Sequence, residues 1–205
     1  MLIQKIVFQS SQTCTLTLED NTSLELDILC VTSNNLREGD DVSQELLLQL
    51  QEDTAYINAR KTAVHMLSRR MRTEKQLVQQ LCAKGYSSQA VARAIADLKN
   101  WGYIDDIAYA KAFIEYRLSN SKKSWRAILW ELRREGLSTD DIDEATEDFD
   151  LDEEQRAQQV SEKILGLHRD QKSLERLKNA LLRNGFSWDV VGGILSQYQQ
   201  EYMEE

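Results

Sequence analysis

Residues 125–142 read WRAILWELRREGLSTDDI, and two other stretches repeat their pattern: EKQLVQQLCAKGYSSQAV at 74–91 and LERLKNALLRNGFSWDVV at 174–191. The three align on Gly85, Gly136 and Gly185, which stand 51 and 49 residues apart. Eight residues before each glycine come Leu77, Ile128 and Leu177, and four before come Leu81, Leu132 and Leu181. Directly after come Tyr86, Leu137 and Phe186, then Ser87, Ser138 and Ser187, and at the sixth place Val91, Ile142 and Val191. Registered positions in three copies define a tandem repeat of about 50 residues.

Each copy has a physical reading. Apolar residues eight and four before the glycine share one helix face. Glycine then takes the position after the helix end, where a left-handed backbone costs it nothing. The serine that follows accepts the orphan N–H groups of the next helix, and Ser138-Thr139-Asp140-Asp141 adds an acidic residue close to a capping box. A further helix precedes each pair, near Ala55–Arg70, Asp106–Ser119 and Glu153–Leu167. The expectation is a mainly α fold of three three-helix units, at 51–104, 105–150 and 151–205. Units this short bury their apolar faces on their neighbours, so the stack is expected to be elongated and curved.

Residues 1–50 have a different period. Ile3–Phe8, Cys14–Leu18 and Leu24–Leu29 are strand-length runs, and Thr13, Thr15 and Thr17 alternate with Cys14, Leu16 and Leu18. Asp20-Asn21 is turn chemistry. The reading is a small three-stranded β module that docks on the helices following it, since so few strands are marginal alone.

Composition agrees with helices. There is no proline, where average usage would place about ten in 205 residues. No apolar run reaches the roughly 20 residues of a membrane span, and the N-terminal stretch lacks the apolar core of a secretory signal. Cys14, Cys30 and Cys82 are odd in number without CxxC spacing, which reads as reduced thiols in a cytoplasmic protein. The net charge of −9 conceals a strong asymmetry. Residues 1–54 hold two Lys/Arg against ten Asp/Glu, residues 55–135 hold sixteen against seven, and residues 136–205 hold seven against seventeen. A basic middle between acidic ends points to an anionic partner at the centre.

Residues 101–113 carry Gly102-Tyr103-Ile104-Asp105-Asp106, then Tyr109-Ala110 and Phe113. Together with Arg72-Thr73-Glu74-Lys75-Gln76-Leu77, Lys84-Gly85-Tyr86, Ser121-Lys122-Lys123-Ser124, Glu135-Gly136-Leu137 and Asn184-Gly185-Phe186-Ser187, this string resembles the signature of the RecX family. The resemblance covers about residues 55–200. It implies a regulator of the RecA recombinase that lies in the groove of the RecA–DNA filament and restrains it, in recombination, DNA repair and the SOS response. The implied partners are that filament and single-stranded DNA, directly or within it, with no membrane, and the chain is expected to act as a monomer. The signature itself reads as structure: Gly102 ends a helix, Asp105 or Asp106 starts the next, and Tyr109 and Phe113 share a helix face.

Catalytic chemistry is not legible. His65 and His168 have no metal-ligand spacing, there is no GxxxxGK[ST] phosphate loop, and GxSxG is missing. The chain reads as a non-enzyme that needs no cofactor and works by binding. Binding is expected at the basic residues: Arg69, Arg70, Arg72 and Lys75 at a helix junction of the first unit, Lys122, Lys123 and Arg126 at the matching place of the second, and Arg133 and Arg134 one helix later. Stacking of the units would align these groups into one stripe, in which arginine offers a rigid fork for phosphate. Trp125 and Trp130 are five apart and so do not share a helix face; at least one belongs to the core. Two other classes fit the pattern less well. A helix-turn-helix transcription regulator would concentrate its basic groups on one unit, and a purely structural helical adaptor would not need them.

Overall fold

The computed structural model describes residues 1–166 and 170–204, as ten helices and one three-stranded sheet. The chain divides into two compact units, Met1–Asp105 and Asp106–Glu205.

In the first unit β1 (Ile3–Phe8), β2 (Thr13–Leu18) and β3 (Ser23–Asp27) form an antiparallel meander in the order β1-β2-β3. The period of two in β2 holds: Cys14, Leu16 and Leu18 are buried, with the intervening threonines half-buried on the other face. The third strand is shorter than the run Leu24–Leu29, because Asp27 turns the chain. Its carboxylate, 2% exposed, accepts the Leu29 N–H at 3.0 Å and so caps α1 (Ile28–Ser33), while its other oxygen takes Lys61 Nζ at 2.6 Å. The capping bond and the ion pair together outweigh the β propensity of Ile28 and Leu29.

Helix α2 (Gln44–Leu67) is one element of 24 residues that begins well before Ala55, capped by Ser43. Its early turns give Leu47, Leu50 and Ile57 to the core under the sheet, with Ile3, Leu16, Leu26 and Val31. The β module thus docks on the helix that follows it. Later turns give Ala63 and Met66 to a second core with Leu77 and Leu81 of α3 (Glu74–Ala83) and Val91, Ile95 and Leu98 of α4 (Ser88–Asn100).

The second unit holds α5 (Asp106–Asn120), α6 (Trp125–Glu135), α7 (Thr139–Thr146), α8 (Glu153–Leu165), α9 (Gln171–Arg183) and α10 (Trp188–Glu204). Ala110, Ile114, Ile128, Leu132 and Ile142 form one core, and Val160, Leu174, Leu177, Leu181, Phe186 and Val191 form another. Tyr109 and Phe113 stack on each other at 6.2 Å, half-buried against the first of these. Gly192 and Gly193 lie inside α10 without ending it.

The repeat geometry is the same in all three copies. Gly85, Gly136 and Gly185 have φ of 91°, 103° and 94°, in the left-handed region. One residue on, the N–H of Tyr86, Leu137 and Phe186 reaches the carbonyl of Leu81, Leu132 and Leu181 at 3.4, 3.3 and 3.2 Å, the six-to-one bond of a Schellman ending. Ser87, Ser138 and Ser187 then accept from the N–H groups of Ala90, Asp141 and Val190 and start the next helices. Two of the glycines are predicted to respond differently to a methyl group. At Gly85 a Cβ meets nothing within 4 Å, so Gly85→Ala should cost only the left-handed strain, about 1 kcal/mol. At Gly185 it would stand 2.9 Å from both Ala127 Cβ and Ser124 Oγ, and overpacking should raise the cost to about 2 kcal/mol. Urea midpoints of the two variants measure the difference; equal shifts would mean that the contact of Gly185 with α6 carries no strain.

Candidate binding surface

The basic residues expected to bind fall into two groups, one in each compact unit. In the first, α2 stops at Leu67 and α3 is capped by Thr73, which leaves Arg69, Arg70 and Arg72 in the connection and Lys75 in the first turn of α3. Arg69, Arg70 and Lys75 are exposed. Arg72 is half-buried, with Nε and Nη1 withdrawn from solvent and, among the described residues, lacking a hydrogen-bond partner. Burial, and then the charges of Arg70 and Arg69, lower its pKa. Three guanidinium groups so close together make a concentrated positive field.

In the second unit the loop between α5 and α6 carries Lys122 and Lys123, and it is tied from behind. Arg156 of α8, 4% exposed, donates from Nη2 to the Ser121 carbonyl at 2.8 Å, from Nε to that of Lys123 at 3.2 Å and from Nη1 to that of Leu118 at 3.3 Å. Desolvation lowers the pKa of this guanidinium, while the Glu153 carboxylate opposes the shift. Glu153 also accepts the Trp125 N–H at 2.8 Å, and the Ser124 N–H donates to the Asn184 carbonyl at 3.0 Å. Residues from α8 and from the end of α9 therefore hold the start of α6.

The two lysines of this loop differ. Lys122 is exposed. Lys123 is half-buried and paired with Glu131, which also meets Arg117 Nε at 2.9 Å. Reversing both lysines would leave stability unchanged only if both were solvated. Lys123→Glu instead sets a second carboxylate beside Glu131, so the charge of Lys123 belongs to an internal ion group.

Helix α6 presents the clearest outward surface. Arg126, Trp130, Arg133 and Arg134 are all exposed, and their spacing places them within roughly 100° of one another around the helix. Trp125, Ile128 and Leu132 face the other way, into the core. Trp125 is 6% exposed and Trp130 is 55% exposed, so the two tryptophans do part company. The Arg134 guanidinium lies 4.8 Å from the Trp130 ring centre, a cation–π contact. Arg126 donates to the Gly185 carbonyl at 3.2 Å, and among the described residues no carboxylate pairs with Arg126, Arg133 or Arg134. Beside this face runs a groove of about 540 Å³, with Arg126 and Arg133 on its rim and Leu129, Leu151 and Val190 among its apolar walls. Sequence reasoning missed Trp130 as a surface residue. The signal was available, since it stands four residues from both Arg126 and Arg134. Arg156 gave no comparable signal, because only the fold brings it to the loop.

His65 is exposed in the last turn of α2, and His168 lies outside the described residues, as does Leu167 at the expected end of α8. Among the described residues no three His, Cys, Asp or Glu side chains form a group able to hold a metal. Cys14, Cys30 and Cys82 are free thiols, the first two buried. No described helix is long and apolar enough to cross a membrane.

These features define a class first: a mainly helical protein built on repeated helix–glycine–helix junctions, whose distinctive surface is cationic and aromatic. Residues 59–98 match the family model described as RecX, first three-helix domain, and residues 105–145 match RecX, second three-helix domain. The regulatory protein RecX of Caldanaerobacter subterraneus subsp. tengcongensis is 32% identical over 161 residues, covering 76% of this chain and 78% of its own. That of Bacillus pumilus is 26% identical over 212 residues, covering 99% and 81%. The chain belongs to the RecX family of regulatory proteins. A crystal structure of regulatory protein RecX shares the fold, with a TM-score of 0.70 over 92% of this chain and 96% of that one at 21% identity. RecX from Lactobacillus salivarius gives a TM-score of 0.60 over 71% and 97% at 20% identity.

Proposed function

We propose that the chain is a non-enzymatic regulator that binds a RecA–DNA filament and restrains it, acting as a monomer built from the β module and three three-helix repeats. The observation that carries this reading is the outer face of α6, where Arg126, Arg133 and Arg134 stand exposed, without carboxylate partners among the described residues, in a protein of net charge −9. Keeping like charges together on one helix face is unfavourable for the isolated molecule, which suits a face that meets an anionic partner. The groups at Arg69, Arg70, Arg72 and Lys75 in the first unit, and at Lys122 in the second, are proposed to contact the same partner. Lys123 contributes by holding Glu131 in place. A filament offers phosphates to these cations, and the acidic ends of the chain discourage binding to bulk DNA.

The test is Arg133→Glu with Arg134→Glu. Both side chains are exposed, so the cost should be confined to about 1 kcal/mol per residue for a reversed charge in the last turn of α6. Affinity for a RecA–DNA filament should fall, and the slope of log K against log salt should lose roughly one unit for each phosphate contact removed. Filament binding and salt slope both unchanged would favour the structural adaptor. Tight binding of the unaltered protein to duplex DNA without recombinase would favour the transcription regulator.

A further inference from the structure

We infer that the outer face of α6 is a stacking platform for unpaired nucleobases, with Trp130 taking the base and Arg126, Arg133 and Arg134 taking the phosphates around it. This deepens the proposed function and rests on it for the partner's class, but its chemistry can be tested without the filament.

Large apolar side chains are usually withdrawn from water, and tryptophan is highly buried on average. Trp125 obeys that rule in the core of the same helix, five residues from Trp130. Trp130 does not, and neither do Trp101 and Trp188, each of which has one cation over its ring. What sets Trp130 apart is the three arginines on its own helix face. Arg134 lies over the ring at 4.8 Å, and the residue as a whole is still 55% exposed. An exposed aromatic ring that shares a helix face with several cations is an arrangement by which proteins hold single strands: bases stack on the ring and the backbone follows the charges. The groove beside it is lined by Arg126, Arg133, Leu129 and Val190 and also by Glu153, whose carboxylate is engaged by the Trp125 N–H. Its apolar part gives a neighbouring nucleotide a place to lie.

Two features favour a nucleobase over an acidic peptide. Carboxylates would use the arginines and leave the indole unpaired, whereas a nucleotide uses both. The chain's net negative charge also weakens attraction that depends on phosphates alone, so a contact insensitive to salt is needed to retain a single strand. Duplex DNA cannot serve, because its base faces are already stacked. The platform therefore distinguishes exposed bases from paired ones.

The experiment uses the full chain and fluorescently labelled oligothymidylate, an abasic strand of equal length and a duplex, without recombinase. The unaltered protein should prefer oligothymidylate to the abasic strand roughly tenfold, the worth of one stacked base. Trp130→Ala should abolish that preference and leave the salt slope unchanged, while Trp130→Phe should retain part of it. Trp188→Ala, which removes another exposed indole, should keep the preference, and matching circular dichroism should show that each variant is folded. Equal binding of base-bearing and abasic strands by the unaltered protein, or a preference that survives Trp130→Ala, would overturn the platform. If that happens while Arg133→Glu with Arg134→Glu still weakens filament binding, only this inference falls. If the double reversal leaves filament binding intact, the proposed function falls with it.

Discussion

Arg156→Met is expected to destabilise the protein by about 3–5 kcal/mol and to weaken partner binding as well. Methionine keeps the apolar stem and removes the three donors that satisfy the carbonyls of Leu118, Ser121 and Lys123. Hydrogen bonds from charged donors contribute more than neutral ones, and a buried carbonyl left unpaired costs about 1–3 kcal/mol. The loop can recover part of this by admitting water, which is why the total falls short of three full penalties. Urea denaturation measures the stability change. Backbone amide exchange should rise first in residues 118–126, since these residues lose their support. A loss under about 1 kcal/mol, with exchange in the loop unchanged, would show that the guanidinium does not organise it.

Leu132→Ala is expected to cost about 3–4 kcal/mol. Leu132 is wholly buried among Ile114, Ile128, Leu137 and Ile142, and its carbonyl receives the Leu137 N–H that closes the α6 ending. Removing three carbons there loses their transfer free energy and leaves a cavity between packed helices, and leucine truncations in such sites cost 2–5 kcal/mol. The equivalent leucines, Leu81 and Leu181, are also wholly buried, so their alanine variants should fall in the same range. A value below about 1 kcal/mol at Leu132 would mean that the repeat register is wrong at its most regular position.

Much of the fold was legible because the signals are local. A helix ending in glycine and a serine cap involve atoms within six residues of one another, so Gly85, Gly136 and Gly185 and the serines that follow could be assigned from spacing alone. The same holds for the buried face of α6 and for the alternation in β2. Asp27 shows where local reading stops. The run Leu24–Leu29 has strand composition, and it is broken by a carboxylate whose second oxygen meets Lys61, 34 residues away.

For the binding surface the division is similar. The sequence by itself determined that positive charge concentrates in residues 55–135 and recurs at matching places of two repeats. It placed Arg133 and Arg134 one helix later than Arg126, whereas the structure sets all three on α6. Only the tertiary structure decided which cations face solvent. It paired Lys123 with Glu131, drew Arg156 inside to hold a loop 33 to 38 residues earlier, and left Trp130 outside while burying Trp125. Helix period places a side chain on a face, but its partner is set by which elements pack against that face, and that depends on contacts between residues far apart in the chain.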